Sequence, residues 1–74
     1  MDDIIPNLSA KELLNMMQKL PQRASMVLKL FAIEGYAHKE IAEILNITEG
    51  TSKSQLNRAR SLLKSLISQL NINA

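Results

Sequence analysis

The sequence predicts an all-α fold: a four-helix domain around one small core, in which the last two helices form a helix-turn-helix. Three observations predict it. Apolar residues recur at three- and four-residue spacing in four separate blocks, the period of a helix with one buried face. The blocks are bounded by residues suited to helix ends: Ser9, Pro21, Gly35, Asn46 and Thr48. Between the last two blocks lies only Asn46-Ile47-Thr48, a turn short enough to set a short amphipathic helix against a longer one.

Residues 1–7 are acidic, contain Pro6 and lack any period, so they read as a flexible lead-in to a domain over residues 8–71. In the first helix, Ser9 and Glu12 have the spacing of a capping box, with Leu8 and Leu13 as the hydrophobic staple across it. Leu13, Leu14, Met17 and Leu20 are expected to face inward. Pro21 is expected at the first position of helix 2, where its fixed φ is suitable and its missing N–H costs nothing. Ala24, Val27, Leu28, Leu30 and Phe31 form the inner face of that helix, and Gly35 is the expected left-handed stop. Helix 3 is expected over His38 to Leu45, with Ile41, Ala42, Ile44 and Leu45 inward. Ala42 is small enough for two helices to cross closely. Asn46 tolerates the positive φ that the turn needs. Thr48 then caps a fourth helix running to about Leu70, with Leu56, Ala59, Leu63, Leu66, Ile67 and Leu70 on one stripe. The helix-turn-helix is therefore expected over residues 37–70.

Composition narrows the function classes without choosing one. The chain has 74 residues, which is close to the lower limit for a core that folds without staples, and no cysteine to supply them. One Tyr and one Phe leave the core aliphatic and rich in Met. No apolar run approaches the roughly 18 residues of a membrane span and no signal peptide is visible, so a cytoplasmic location without membrane insertion is expected. A single histidine makes a metal site implausible. No nucleophile-base pairing, phosphate-binding Gly-rich loop or carboxylate cluster points to catalysis, so a non-enzyme without cofactor or metal is expected.

The net charge of +2 is modest, but its placement is uneven. Up to Glu34, Lys11, Lys19, Arg23 and Lys29 are balanced by Asp2, Asp3, Glu12 and Glu34, whereas beyond Glu49 come Lys53, Arg58, Arg60 and Lys64 with no acid. At about 100° per residue, Lys53, Ser54, Asn57, Arg58, Ser61 and Lys64 share the stripe opposite the apolar one. A solvated helix surface would look the same if the stripe stood alone. Joined to the preceding turn and Ala42, it reads as a recognition helix for a DNA major groove. Lys and Arg would neutralise phosphates, while Ser54 and Asn57 reach base edges and Arg58 reaches guanine or phosphate. Gly50 and Thr51, in the first turn, lie where a backbone can approach a phosphate; an indifferent helix-start Gly is the rival reading for Gly50. His38 and Lys39 open helix 3, either beside the DNA backbone or simply solvated. Ser52 falls on the inward stripe, where its hydroxyl is expected to bond back to the Thr48 carbonyl.

The stretch from Glu34 to Arg60, EGYAHKEIAEILNITEGTSKSQLNRAR, resembles region 4 of the bacterial extracytoplasmic-function sigma factors. These carry an EG-aromatic opening, KEIAE, EGT, KS and RAR in the same order. The resemblance implies a wingless sigma region 4 fold and recognition of the promoter −35 element in double-stranded DNA by helix 4. It also implies docking on the β-subunit flap of RNA polymerase core, and an anti-sigma factor as a possible regulator. The residues it carries over to the groove are Lys53, Ser54, Asn57 and Arg58. In that family the domain follows a linker from a second domain that reads the −10 element, so this chain reads as a fragment of such a protein. Three positions depart from the pattern. Gln55 stands where many relatives have Arg, Ser52 where they often have Val, and Ala37 where a Ser often completes a capping box with Glu40. Two other readings stay open: the output domain of a response-regulator type activator, which would dimerise on paired half-sites, and a helical protein-interaction module with an incidental basic face.

Overall fold

The computed structural model describes the backbone of residues 9–73 and the side chains of residues 9–69. The expected lead-in, Leu8 of the staple and the side chain of Leu70 lie outside the described residues. Four α-helices follow one another with no strand among the described residues: α1 Ala10–Met17, α2 Gln22–Leu28, α3 His38–Leu45 and α4 Glu49–Asn73. α4 is the spine: it packs most extensively on α2, then on α3, and touches α1 more lightly. The core where they meet holds Met16, Met17, Leu20, Ala24, Val27, Leu28, Ile41, Leu56, Ala59 and Leu63, so it is aliphatic and thioether with no buried aromatic ring.

The helix ends follow from local chemistry. Ser9 caps α1 reciprocally: its Oγ accepts the Glu12 N–H at 3.1 Å, and Glu12 Oε1 accepts the Ser9 N–H at 3.1 Å. Pro21 is the cap of α2 rather than its first helical residue, because its ψ of 142° is extended while its carbonyl already accepts the Ser25 N–H. Two side chains expected inside are outside: Leu14 is 51% exposed and Ile44 51% exposed. The helical period explains both. Leu14 stands about 110° from the centre of the stripe that Leu13, Met16, Met17 and Leu20 make, and Ile44 a similar angle from that of Ile41, Ala42 and Leu45. Met16 takes the buried place on α1 instead.

α2 does not simply run on to Gly35. Residues Lys29–Ile33 widen into a π-helical turn, in which the Glu34 N–H reaches the Lys29 carbonyl at 3.1 Å. Such a turn inserts one extra residue and changes the direction of the side chains that follow it. Gly35 then ends the segment at φ +81°, and the Tyr36 N–H returns to the Leu30 carbonyl at 3.0 Å.

The turn between α3 and α4 is built as its sequence suggests. Asn46 adopts the left-handed conformation, φ 56° and ψ 51°, and the Ala42 carbonyl accepts the N–H groups of both Asn46 and Ile47. Thr48 Oγ1 accepts the Thr51 N–H at 3.0 Å, which makes it the cap of α4. At the start of α3 only half of a capping box exists. Glu40 Oε1 accepts the Ala37 N–H at 2.8 Å, so the glutamate's half of the box forms without the Ser. Ala37 offers its carbonyl to the Ile41 N–H at 2.9 Å but no side-chain acceptor to the first turn. Ala37→Ser should complete the box and raise stability by about 0.5–2 kcal/mol. A thermal melt should rise by several degrees, and an unchanged midpoint would mean that water already satisfies these donors.

Candidate nucleic-acid interface

The outer face of α4 is set by what its inner face must bury. Leu56, Ala59 and Leu63 are 3% exposed or less, and they decide which side of the helix faces inward. With that side turned inward, Lys53, Ser54, Asn57, Arg58, Ser61 and Lys64 are all exposed on the far side. No exposed acid interrupts them from Gly50 to Gln69. The face is therefore a run of donors and cations facing outward.

Not every expected contact residue stands equally free. Ser54 Oγ donates to the Thr51 carbonyl at 3.1 Å and must turn away from that bond before it can reach a base. Gln55 and Thr51 are half-buried, and Thr51 Oγ1 accepts a hydrogen bond from Thr48 Oγ1 at 2.9 Å. Both sit at the edge of the face. Gly50 is exposed, and a Cβ built on it would meet only Thr48 Oγ1, at 3.9 Å. The fold itself therefore gives no steric reason for a glycine there. Lys39 is exposed on the first turn of α3.

His38 is placed differently from either expectation. Its ring is half-buried and stacks on Phe31, with centroids 4.6 Å apart and planes inclined by 19°. Its Nδ1 lies 2.8 Å from Ser52 Oγ. The Ser52 hydroxyl thus bonds across to α3, not back to the Thr48 carbonyl, which already accepts the Ser52 N–H at 3.0 Å. Arg60 also turns inward: its guanidinium carbon is 5.9 Å from the Phe31 ring centre, within cation–π range. Of the four cations that follow Glu49, three remain on the exposed face.

Sequence reasoning missed this Phe31, His38, Ser52 and Arg60 cluster as a unit. The available signal was a Ser on an otherwise apolar stripe, together with the chain's one Phe and one His. The π turn that contains Phe31 had no such signal.

An all-α domain whose helix-turn-helix leaves a cationic, donor-rich face unburied on its second helix is the architecture of a major-groove DNA-binding module. Residues 10–63 match the family model described as Sigma-70, region 4, and the chain belongs to that family. The family is a DNA-binding one that recognises promoters within sigma factors and works with RNA polymerase; it is not an enzyme family. No helix among the described residues is long and apolar enough to cross a membrane. Nor do the described residues group three or more His, Cys, Asp or Glu side chains as a metal would require.

Proposed function

We propose that this chain recognises the promoter −35 element as the C-terminal DNA-binding domain of an extracytoplasmic-function type sigma factor, with α4 in the major groove. The observation that carries the reading is the exposed stripe of α4, which places Asn57 and Arg58 one turn beyond Lys53 and Ser54. Asn and Arg make the bidentate base contacts that a helix in a major groove uses, while Lys53, Lys64 and Lys39 suit phosphates. Gly50 belongs to the phosphate set. It lies at the N-terminal end of α4, where unpaired N–H groups and the helix dipole favour an anion.

The polymerase flap would dock away from α4's outer face. Met26, 40% exposed, stands with Met17, Leu20, Gln18, Gln22 and Ser25 around a recess between α1 and α2. Thioether side chains adapt to partner surfaces, which suits such a contact. An anti-sigma factor would act by covering either surface.

The test is selection from a random duplex pool by the chain held on RNA polymerase core. A single unpaired motif should emerge. Emergence of an inverted repeat bound by a dimer would favour a response-regulator type output domain, and no enrichment at all would favour a protein-interaction module.

Gly50 supplies a second check. Gly50→Ala should raise stability by about 0.5–1 kcal/mol, because the methyl group has room and the helix gains propensity. It should at the same time weaken DNA binding several-fold by holding the phosphate off the first turn. Greater stability with unchanged DNA affinity, read by melting and fluorescence anisotropy, would remove Gly50 from the interface.

A further inference from the structure

We propose that His38 and Ser52 are positioning residues for DNA reading: their hydrogen bond, held beneath the Phe31 ring, pins the rotation of α4 at the turn that carries Lys53 and Ser54. The inference rests on the reading that the exposed face of α4 contacts bases. Its physical basis is the difference between directional and non-directional contacts.

The apolar contacts of α4, through Leu56, Ala59 and Leu63, all lie beyond its first turn. They resist separation of the helices but only weakly resist a small roll, since burial of apolar area has no preferred angle. A roll of about 10° moves a side chain at a helix radius of about 5–6 Å by about 1 Å. That distance separates a made base contact from a lost one, because hydrogen bonds hold over only a few tenths of an ångström.

Ser52 is the buried polar residue at this level, 0% exposed, and it directly precedes Lys53 and Ser54 and stands five residues before Asn57. A serine in a helix can satisfy its hydroxyl on the carbonyl four residues back. Here the hydroxyl instead meets Nδ1 of His38, fourteen residues away on another helix, at 2.8 Å. The histidine is in turn kept in place by its stack on Phe31, and Phe31 also carries the Arg60 guanidinium from two turns further along α4. Phe31 itself lies within the π turn at Lys29–Ile33. The cluster therefore ties the end of α2, the first residue of α3 and the first turns of α4 together, beside the DNA-facing surface and not on it.

Thr and Val have the same shape and differ by one hydroxyl, so the 74-residue chain carrying Ser52→Thr or Ser52→Val isolates the bond. His38→Phe keeps an aromatic ring on Phe31 and removes the partner atom. Each variant is measured well below its own melting midpoint. The probes are a labelled duplex bearing the tightest sequence selected by the wild-type chain and a scrambled duplex of equal length. Ser52→Val and His38→Phe should each lower the ratio of specific to non-specific affinity on the order of fivefold to tenfold, the low end of one lost base contact. Their combination should lower it no further, because both break the same tie. Ser52→Thr should keep the wild-type ratio, and non-specific affinity should stay unchanged in all, since no phosphate-facing cation is altered. Should the branched variants fail to fold, His38→Phe and Ser52→Ala carry the test. Wild-type ratios in folded Ser52→Val and His38→Phe, or a loss in Ser52→Thr equal to that in Ser52→Val, would overturn the positioning role alone. A wild-type chain that prefers no sequence would overturn the base-reading model and the positioning role with it.

Discussion

Replacing Asn57 or Arg58 with Ala is expected to flatten preference at particular base pairs by about 1–3 kcal/mol each, while Lys64→Ala weakens binding to every sequence alike. The distinction follows from where these side chains stand. All three are exposed on one face of α4, but Asn57 and Arg58 lie in its third turn while Lys64 lies about two turns beyond. A helix that enters a major groove brings its N-terminal turns to the base edges and leaves its later turns over the backbone. Binding measured against a panel of single-base variants separates the two behaviours. Uniform loss from all three substitutions would mean that none of them reads bases.

The largest effect on stability is expected from Ile41→Ala. Ile41 is 0% exposed and sits where α3 meets the core formed with α2 and α4. Removing three carbons from such a site costs about 2–5 kcal/mol, through lost burial and the cavity left behind. A chain of 74 residues has a total stability of only about 4–11 kcal/mol at typical values per residue. The variant should therefore melt on the order of 10–30 °C lower, by circular dichroism. It should also lose DNA binding at temperatures where the wild type binds. A cost below about 1 kcal/mol would mean that α3 does not pack as described.

Much of the fold was legible because its signals are local. Ser9 and Glu12 announce a capping box, Gly35 and Asn46 each sit at a positive φ, and Thr48 caps α4, and each depends on residues within one turn. The inner and outer faces of α4 were legible for a related reason, since a long helix averages out single errors of phase. Short helices do not, and Leu14 and Ile44 were misplaced because an eight-residue helix constrains its own rotation poorly. The π turn was invisible, because no residue pattern in Lys29–Ile33 distinguishes it from an ordinary helix that packing has widened. The His38 to Ser52 bond joins residues fourteen apart, and only the fold brings them together. The lone polar residue on the α4 stripe marked where to look but not which partner to expect.

The most direct measurement of the central claim, that the cationic face of α4 together with Lys39 lies on DNA phosphates, is the salt dependence of binding to the selected duplex. With Arg60 turned toward Phe31 and Arg58 given to bases, the exposed cations of this surface that remain for phosphates are Lys39, Lys53 and Lys64. Neutralising about three phosphates should give a slope of log K against log salt of about −2 to −3, and Lys64→Ala should reduce its magnitude by about one. A slope near zero, unchanged by Lys64→Ala, would contradict it.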